Sequence, residues 1–177
     1  MLSGRAYDAS DSQLMEERER ARALLRAYNA TTESELAEHA AILEKLLGRA
    51  GDRVWIEPPF FCDYGTNIDL GDDVFLNFNC VILDCARVVV GAGTLLGPAV
   101  QIYAAAHSTD PAHRRTGLEH AAPVTVGADV WIGGAAILCP GITIGDQTTI
   151  GAGSAVVGDV PAGVVAAGNP CRVLRTL

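Results

Sequence analysis

The chain has 177 residues and a formal net charge of −8. That length suffices for one domain with a sizeable core, and the acidic balance argues against nucleic acid or an anionic membrane as partner. No apolar stretch reaches the roughly 18 residues of a membrane span, and the opening MLSGRAYDASDSQLMEERER lacks the apolar core of a signal peptide, so the expected location is cytoplasmic.

Residues 1–50 carry helical spacing. Leu14, Ala21, Leu24, Leu25 and Tyr28 share one face of a helix, with charges between them. Ser10 and Gln13 have capping-box spacing at its start, and Asn29 with the Thr31–Thr32 pair ends it. A second helix is predicted from Thr32, with Glu35 completing another capping box, to Leu47. Gly48 stands as its C-terminal cap, and Leu36, Leu43, Leu46 and Leu47 form its buried face. Two short helices need something to pack on.

Residues 51–177 change period. Val126, Ile132, Leu138, Ile144, Ile150 and Val156 fall six apart. Four residues after each comes a small or β-branched side chain: Val130, Ala136, Ile142, Thr148, Ser154 and Val160. Leu70, Leu76 and Ile82 obey the same rule, and after a two-residue slip so do Val90, Leu96 and Ile102. A hexapeptide repeat is a signature of a parallel β-helix, in which each unit is a short strand and a turn. A β-sandwich would alternate with period two instead. The repeat breaks at about residues 107–123, HSTDPAHRRTGLEHAAP, and a long insert in a regular solenoid is a place to look for chemistry. The five cysteines (62, 80, 85, 139 and 171) show neither CxxC nor metal-ligand spacing and read as reduced, mostly buried thiols.

CDYGTNIDLGDD (62–73), FLNFNCVILD (75–84), IYAAAHSTDP (102–111) and VTVGADVWIGGAAILCPGITIGD (124–146) resemble the family of bacterial maltose O-acetyltransferases and their galactoside and nodulation-type relatives. GRAYDASDSQL (4–14) is similar to that family's N-terminal segment. The resemblance implies a left-handed parallel β-helix, a hand that six-residue spacing leaves open and that the usual crossover rule would set to the right. It further implies a homotrimer with active sites between neighbouring prisms, acetyl-CoA as co-substrate, a sugar hydroxyl as acceptor, and no metal.

Acetyl transfer from a thioester to a hydroxyl needs a base, an oxyanion donor and positioning. His107, at the mouth of the insert, is the candidate base, since a neutral imidazole is available near pH 7. Asn77 stands where the repeat puts glycine. It reads either as a turn-former or, by resemblance, as the oxyanion stabiliser. The resemblance assigns Asp11, Asp63, Asn77, Cys85 and Glu119 to the acceptor. Carboxylates there accept hydrogen bonds from sugar hydroxyls, and Asp11 also suits a helix N-cap. Aspartate at 63 follows the maltose branch, and Cys85 replaces an aspartate of the galactoside branch, so that either its neighbour Asp84 substitutes or the contact is absent. Arg20 is a further candidate on the first helix. For CoA the matching positions are Gly134, Ala152, Val157, Gly158, Arg172 and Arg175, where Val157 and Gly158 replace a threonine and a lysine of relatives. Trp131 packs beside the site or belongs to core or interface. His39, His113 and His120 read as solvated. The competing readings are a zinc hexapeptide carbonic anhydrase using His107, His113 and His120, a non-catalytic scaffold, and an acyltransferase for an amine or serine.

Overall fold

The computed structural model describes residues 1–32 and 34–177. Among the described residues there are three helices: α1 (Ser12–Asn29), α2 (Leu36–Leu46) and α3 (Pro111–Arg114). The remaining regular structure is short strands, most of them wound into a parallel β-solenoid with three faces. In chain order the first face begins at Arg49–Ala50, the second at Trp55–Ile56 and the third at Phe61–Cys62. The first and third faces each stack five strands. The second stacks seven, the last of which, Arg172–Thr176, runs antiparallel and closes the stack.

The six-residue rule dictates this shape. On the second face Leu76, Leu96, Ile132 and Ile150 stand in direct register, each essentially without solvent exposure. Cys62, Ile82, Ile102, Leu138 and Val156 do the same on the third face. On the first face the ladder is Leu70, Val90, Val126 and Ile144. The small residues predicted to fill the prism, from Val130 to Val160, are all buried. Stacking thus supplies strand hydrogen bonds and apolar core together. The corner glycines act through space more than through backbone freedom. A Cβ on Gly133 would lie 2.5 Å from the Ala152 amide nitrogen of the next coil. Left-handed backbone at the corners falls on other positions, among them Asp73, Asn79, Ala99 and Ala135 as well as Gly93 and Gly153.

The repeat is kept at two corners and broken at the third. From the third face to the first, Cys62 to Leu70 and Ile82 to Val90 each span eight positions, and Ile102 to Val126 spans 24. Three successive coils therefore bulge at one corner. The longest bulge is ordered by pairing. Ala105–His107 runs antiparallel to Leu118–Ala121, which also pairs with the N-terminal strand Tyr7–Asp8. Asp110 caps α3 between them through the Ala112 amide.

The helical head departs from expectation in several places. Asp11, not Ser10, caps α1, accepting the amides of Gln13 and Leu14. Ser10 is engaged by Asp8, whose carboxylate takes both its amide and its hydroxyl. In the second predicted capping box Glu35 accepts both the amide and the hydroxyl of Thr32, and the helix itself starts later, at Leu36; residue 33 lies outside the described residues. Leu36 is exposed, while Ile42, Leu43 and Leu46 face the core. Gly48 does not cap α2. Its amide bonds to the Gly65 carbonyl, and a Cβ there would sit 2.3 Å from the Thr66 carbonyl oxygen, so close approach of two coils selects glycine. His39 is buried, stacked on Trp55 at 5.0 Å and tilted against Tyr28, so the expectation that it is solvated fails. With Tyr28 donating to the Ile56 carbonyl at 2.5 Å, this aromatic group fastens both helices to the base of the solenoid. No helix among the described residues is long and apolar enough to cross a membrane.

Candidate active site

The bulged corner forms a cleft of about 330 Å³ lined by residues from all three long turns and from the head. Asp63 and Tyr64 come from the first bulge, Leu83 and Cys85 flank the second, and Ala105, Ala106, His107 and Glu119 belong to the third. Ala9, Arg18 and Arg22 close it from the head. Residues far apart in sequence thus converge because the solenoid stacks like corners on like corners.

His107 ends its strand with an exposed side chain. Its Nε2 lies 3.8 Å from Oε1 of Glu119, directly across the hairpin. That separation is an electrostatic contact and longer than a hydrogen bond. Glu119 is held from the other side by the Tyr7 hydroxyl, which donates to Oε2 at 2.8 Å. The N-terminal strand is what brings Tyr7 there. Burial, with the Cys85 and Glu119 contacts adding to it, pushes the Tyr7 phenol far up, so it remains a donor. Asp63 is raised above the usual carboxylate range by burial. The Cys85 thiol donates to Asp63 Oδ2 at 3.4 Å and burial pushes it up to about 12, leaving a neutral thiol at physiological pH. Opposite these acids, Arg18 donates to the Tyr64 hydroxyl at 2.8 Å and to the Ala9 carbonyl. The cleft therefore pairs carboxylates on one wall with guanidinium groups on the other, around an imidazole.

Four predicted residues meet here: His107, Asp63, Cys85 and Glu119. Asp11 does not line the cleft; its carboxylate is occupied by the cap of α1. Arg20 points elsewhere, donating to the carbonyls of Lys45 and Tyr64. Arg18 and Arg22, which sequence reasoning missed, take the place foreseen for it. Their four-residue spacing along α1 was the available signal. His113 and His120 are exposed on the insert, and among the described residues no three histidine, cysteine or acidic side chains cluster as a metal site would require. The five cysteines are free thiols, four of them buried.

Asn77 lies on the opposite edge of the third face, at the corner between the second and third faces. It follows Leu76 in the column that continues as Gly97, Gly133 and Gly151. Its Oδ1 accepts the Phe78 amide at 2.7 Å. The left-handed residue of that turn is Asn79, with φ 61°, so Asn77 is not the turn-former. Gly134 and Ala152 occupy successive coils of the same corner. Val157 and Gly158 lie exposed after the last strand of the third face. Arg172 and Arg175 lie on the final strand of the second, with guanidiniums on the carbonyls of Cys171 and Thr176. One chain does not gather these residues into the cleft that holds His107. Trp131 is 57% exposed and is not core.

Comparison with known proteins agrees with this architecture. The model described as the maltose acetyltransferase hexapeptide capping motif matches residues 1–51. Nodulation protein L of Rhizobium meliloti is 48% identical over 173 residues, covering 98% of this chain and 94% of its own. The crystal structure of a maltose O-acetyltransferase from Clostridium difficile 630 superposes with a TM-score of 0.98 at 45% identity, covering 99% of this chain and 94% of that one. A galactoside acetyltransferase in complex with coenzyme A gives 0.96 at 36% identity, with 98% and 87% covered. The chain belongs to the hexapeptide-repeat family of maltose and galactoside O-acetyltransferases.

Proposed function

We propose that this chain moves an acetyl group from acetyl-CoA to a hydroxyl of a sugar, of glucose type in preference to a galactoside, with His107 as general base. The observation that carries the reading is the cleft itself: His107, Glu119, Asp63 and Cys85 arrive from three separate repeat breaks at one place. The imidazole takes the acceptor's hydroxyl proton as the oxygen attacks the thioester carbonyl carbon. The C–S bond then breaks, CoA leaves as the thiol, and the proton follows it. Glu119, 3.8 Å from the ring, stabilises the imidazolium formed on the way. Asp63 and Glu119 accept hydrogen bonds from sugar hydroxyls, and Arg18 and Arg22 donate them. Asp63 follows the maltose branch, which favours the glucose-type acceptor. The relative solved with coenzyme A supports acetyl-CoA as donor. No step requires a metal.

The working unit in this reading is a homotrimer in the cytoplasm. Asn77, Gly134 and Ala152 share one corner of the prism and His107 stands at another. An oxyanion donor and the CoA contacts then reach the base when they come from a neighbouring copy. On the second face Phe75, Leu95 and Trp131 form an apolar ladder in register, with Leu95 and Trp131 exposed, a surface suited to a closed threefold contact. The test is CoA release with glucose, maltose, a galactoside, serine and a simple amine under equal conditions. A misplaced hydroxyl leaves a buried acceptor unpaired at about 1–3 kcal/mol, so the glucose-type sugar is expected to lead by roughly 5- to 150-fold. Preference for the galactoside overturns the branch, and preference for serine or the amine overturns the sugar acceptor.

A further inference from the structure

The second bulge holds a carboxylate that the reaction above does not use. Asp84 is wholly buried. Its Oδ1 accepts the amides of Asp63 at 3.1 Å and Tyr64 at 2.9 Å, and its Oδ2 accepts the amide of Asn67 at 3.3 Å. Asn67 returns the contact, its Nδ2 donating to the Asp84 carbonyl at 2.7 Å. One side chain thus ties its own corner to the whole corner of the coil below. Only N–H donors meet it, a set that fits the ionised form. Burial nevertheless pushes its pKa up to about 6, with the Asp63 charge adding to the rise. A buried carboxylate of this kind is retained against an electrostatic cost, and the residues it holds point to what it is for.

Asp63 forms the acidic wall of the cleft. Tyr64 carries the basic wall at one remove, because its hydroxyl accepts Arg18. Cys85, next in sequence, donates its thiol to Asp63. All three relations start from Asp84. We propose that Asp84 is a positioning residue for the acceptor: it sets the spacing of Asp63 and Arg18 across the cleft without touching the substrate. This rests on the reading that the cleft binds a sugar acceptor.

Asp84→Asn keeps an oxygen acceptor, and Asp84→Ala removes both. Initial rates with acceptor and acetyl-CoA varied separately decide the matter. The expected result is an acceptor KM raised more than about 10-fold in both variants, with kcat and the acetyl-CoA KM within about threefold of wild type. The melting temperature of Asp84→Asn should not fall below that of the wild type at neutral pH, where the wild-type carboxylate is held ionised against burial. Combining Asp84→Asn with Asp63→Asn should raise the acceptor KM by less than the product of the two single effects, because Asp84 acts in part through Asp63. A fully additive double variant overturns the inference, as does loss of kcat and acetyl-CoA affinity in parallel with melting temperature. A wild-type enzyme that acetylates sugars while both single variants keep its acceptor KM overturns this inference alone. A wild type that acetylates no sugar overturns the functional reading and this inference with it.

Discussion

Asp84 gives the fold a pH dependence whose sign is fixed by its environment. Burial raises its pKa from 3.8 to about 6. Between those values the folded chain binds a proton that the unfolded chain releases. Stability from this group is therefore greatest below pH 3.8, falls as pH rises to 6, and is flat above. The groups facing the carboxylate do not reverse this: Asp63 and the Cys62 and Cys85 thiols around it carry no positive charge. A shift of about two units is worth about 3 kcal/mol. For a domain of this size that corresponds to about 6–12 °C in melting temperature. Other titrating groups also move the curve, so the comparison to make is wild type against Asp84→Asn, each melted from pH 4 to 7.5. The wild type should lose ground to the variant up to pH 6 and hold a constant offset beyond it. A difference that is flat throughout, or that grows in favour of the wild type as pH rises, would refute the reasoning.

Two neighbouring residues of one strand should respond oppositely to truncation. Ile132→Ala opens the core between Leu96 and Ile150 and should cost about 2–5 kcal/mol by denaturant titration, whereas Trp131→Ala should leave monomer stability nearly unchanged and shift sedimentation from trimer toward monomer. A fully active monomer of the wild-type chain would contradict the trimer. Exhaustive chelation should leave acetyl transfer intact, measured by CoA release; loss of activity restored by zinc would favour a metalloenzyme. Tyr7→Phe frees Glu119 from its hydroxyl partner and should lower kcat/KM about tenfold, with the solenoid's circular dichroism unchanged.

The solenoid was readable because one physical rule generates it. Each inward position is set by a period of six, and every aliphatic from Leu70 to Val156 in that series is buried. His107 was readable as a residue of the one long interruption, and Asp63, Cys85 and Glu119 through family resemblance. What escaped the sequence depends on contacts between coils or between helix and coil. Asp84, expected as a stand-in acid for the acceptor, is wholly buried and instead serves amides 17 to 21 positions earlier. Arg20 and Arg18 lie on the same helix, and only its orientation on the solenoid decides which one reaches the cleft. His39 looked like a surface residue until Tyr28 and Trp55 closed over it. The Ser10 cap failed for a local reason, competition: Asp8 occupies Ser10, and Asp11, which the sequence also suited to an N-cap, supplies the cap.

The central claim is that His107 takes the proton from the acceptor hydroxyl. Its side chain projects from a hairpin outside the prism, so His107→Ala should preserve the solenoid. The measurement is kcat for acetyl transfer to the best sugar acceptor, at saturating acetyl-CoA, with wild type and His107→Ala matched for circular dichroism and sedimentation. The account predicts a fall of roughly 10²–10⁴-fold, the usual contribution of a positioned base. Turnover by the variant close to that of the wild type would contradict it.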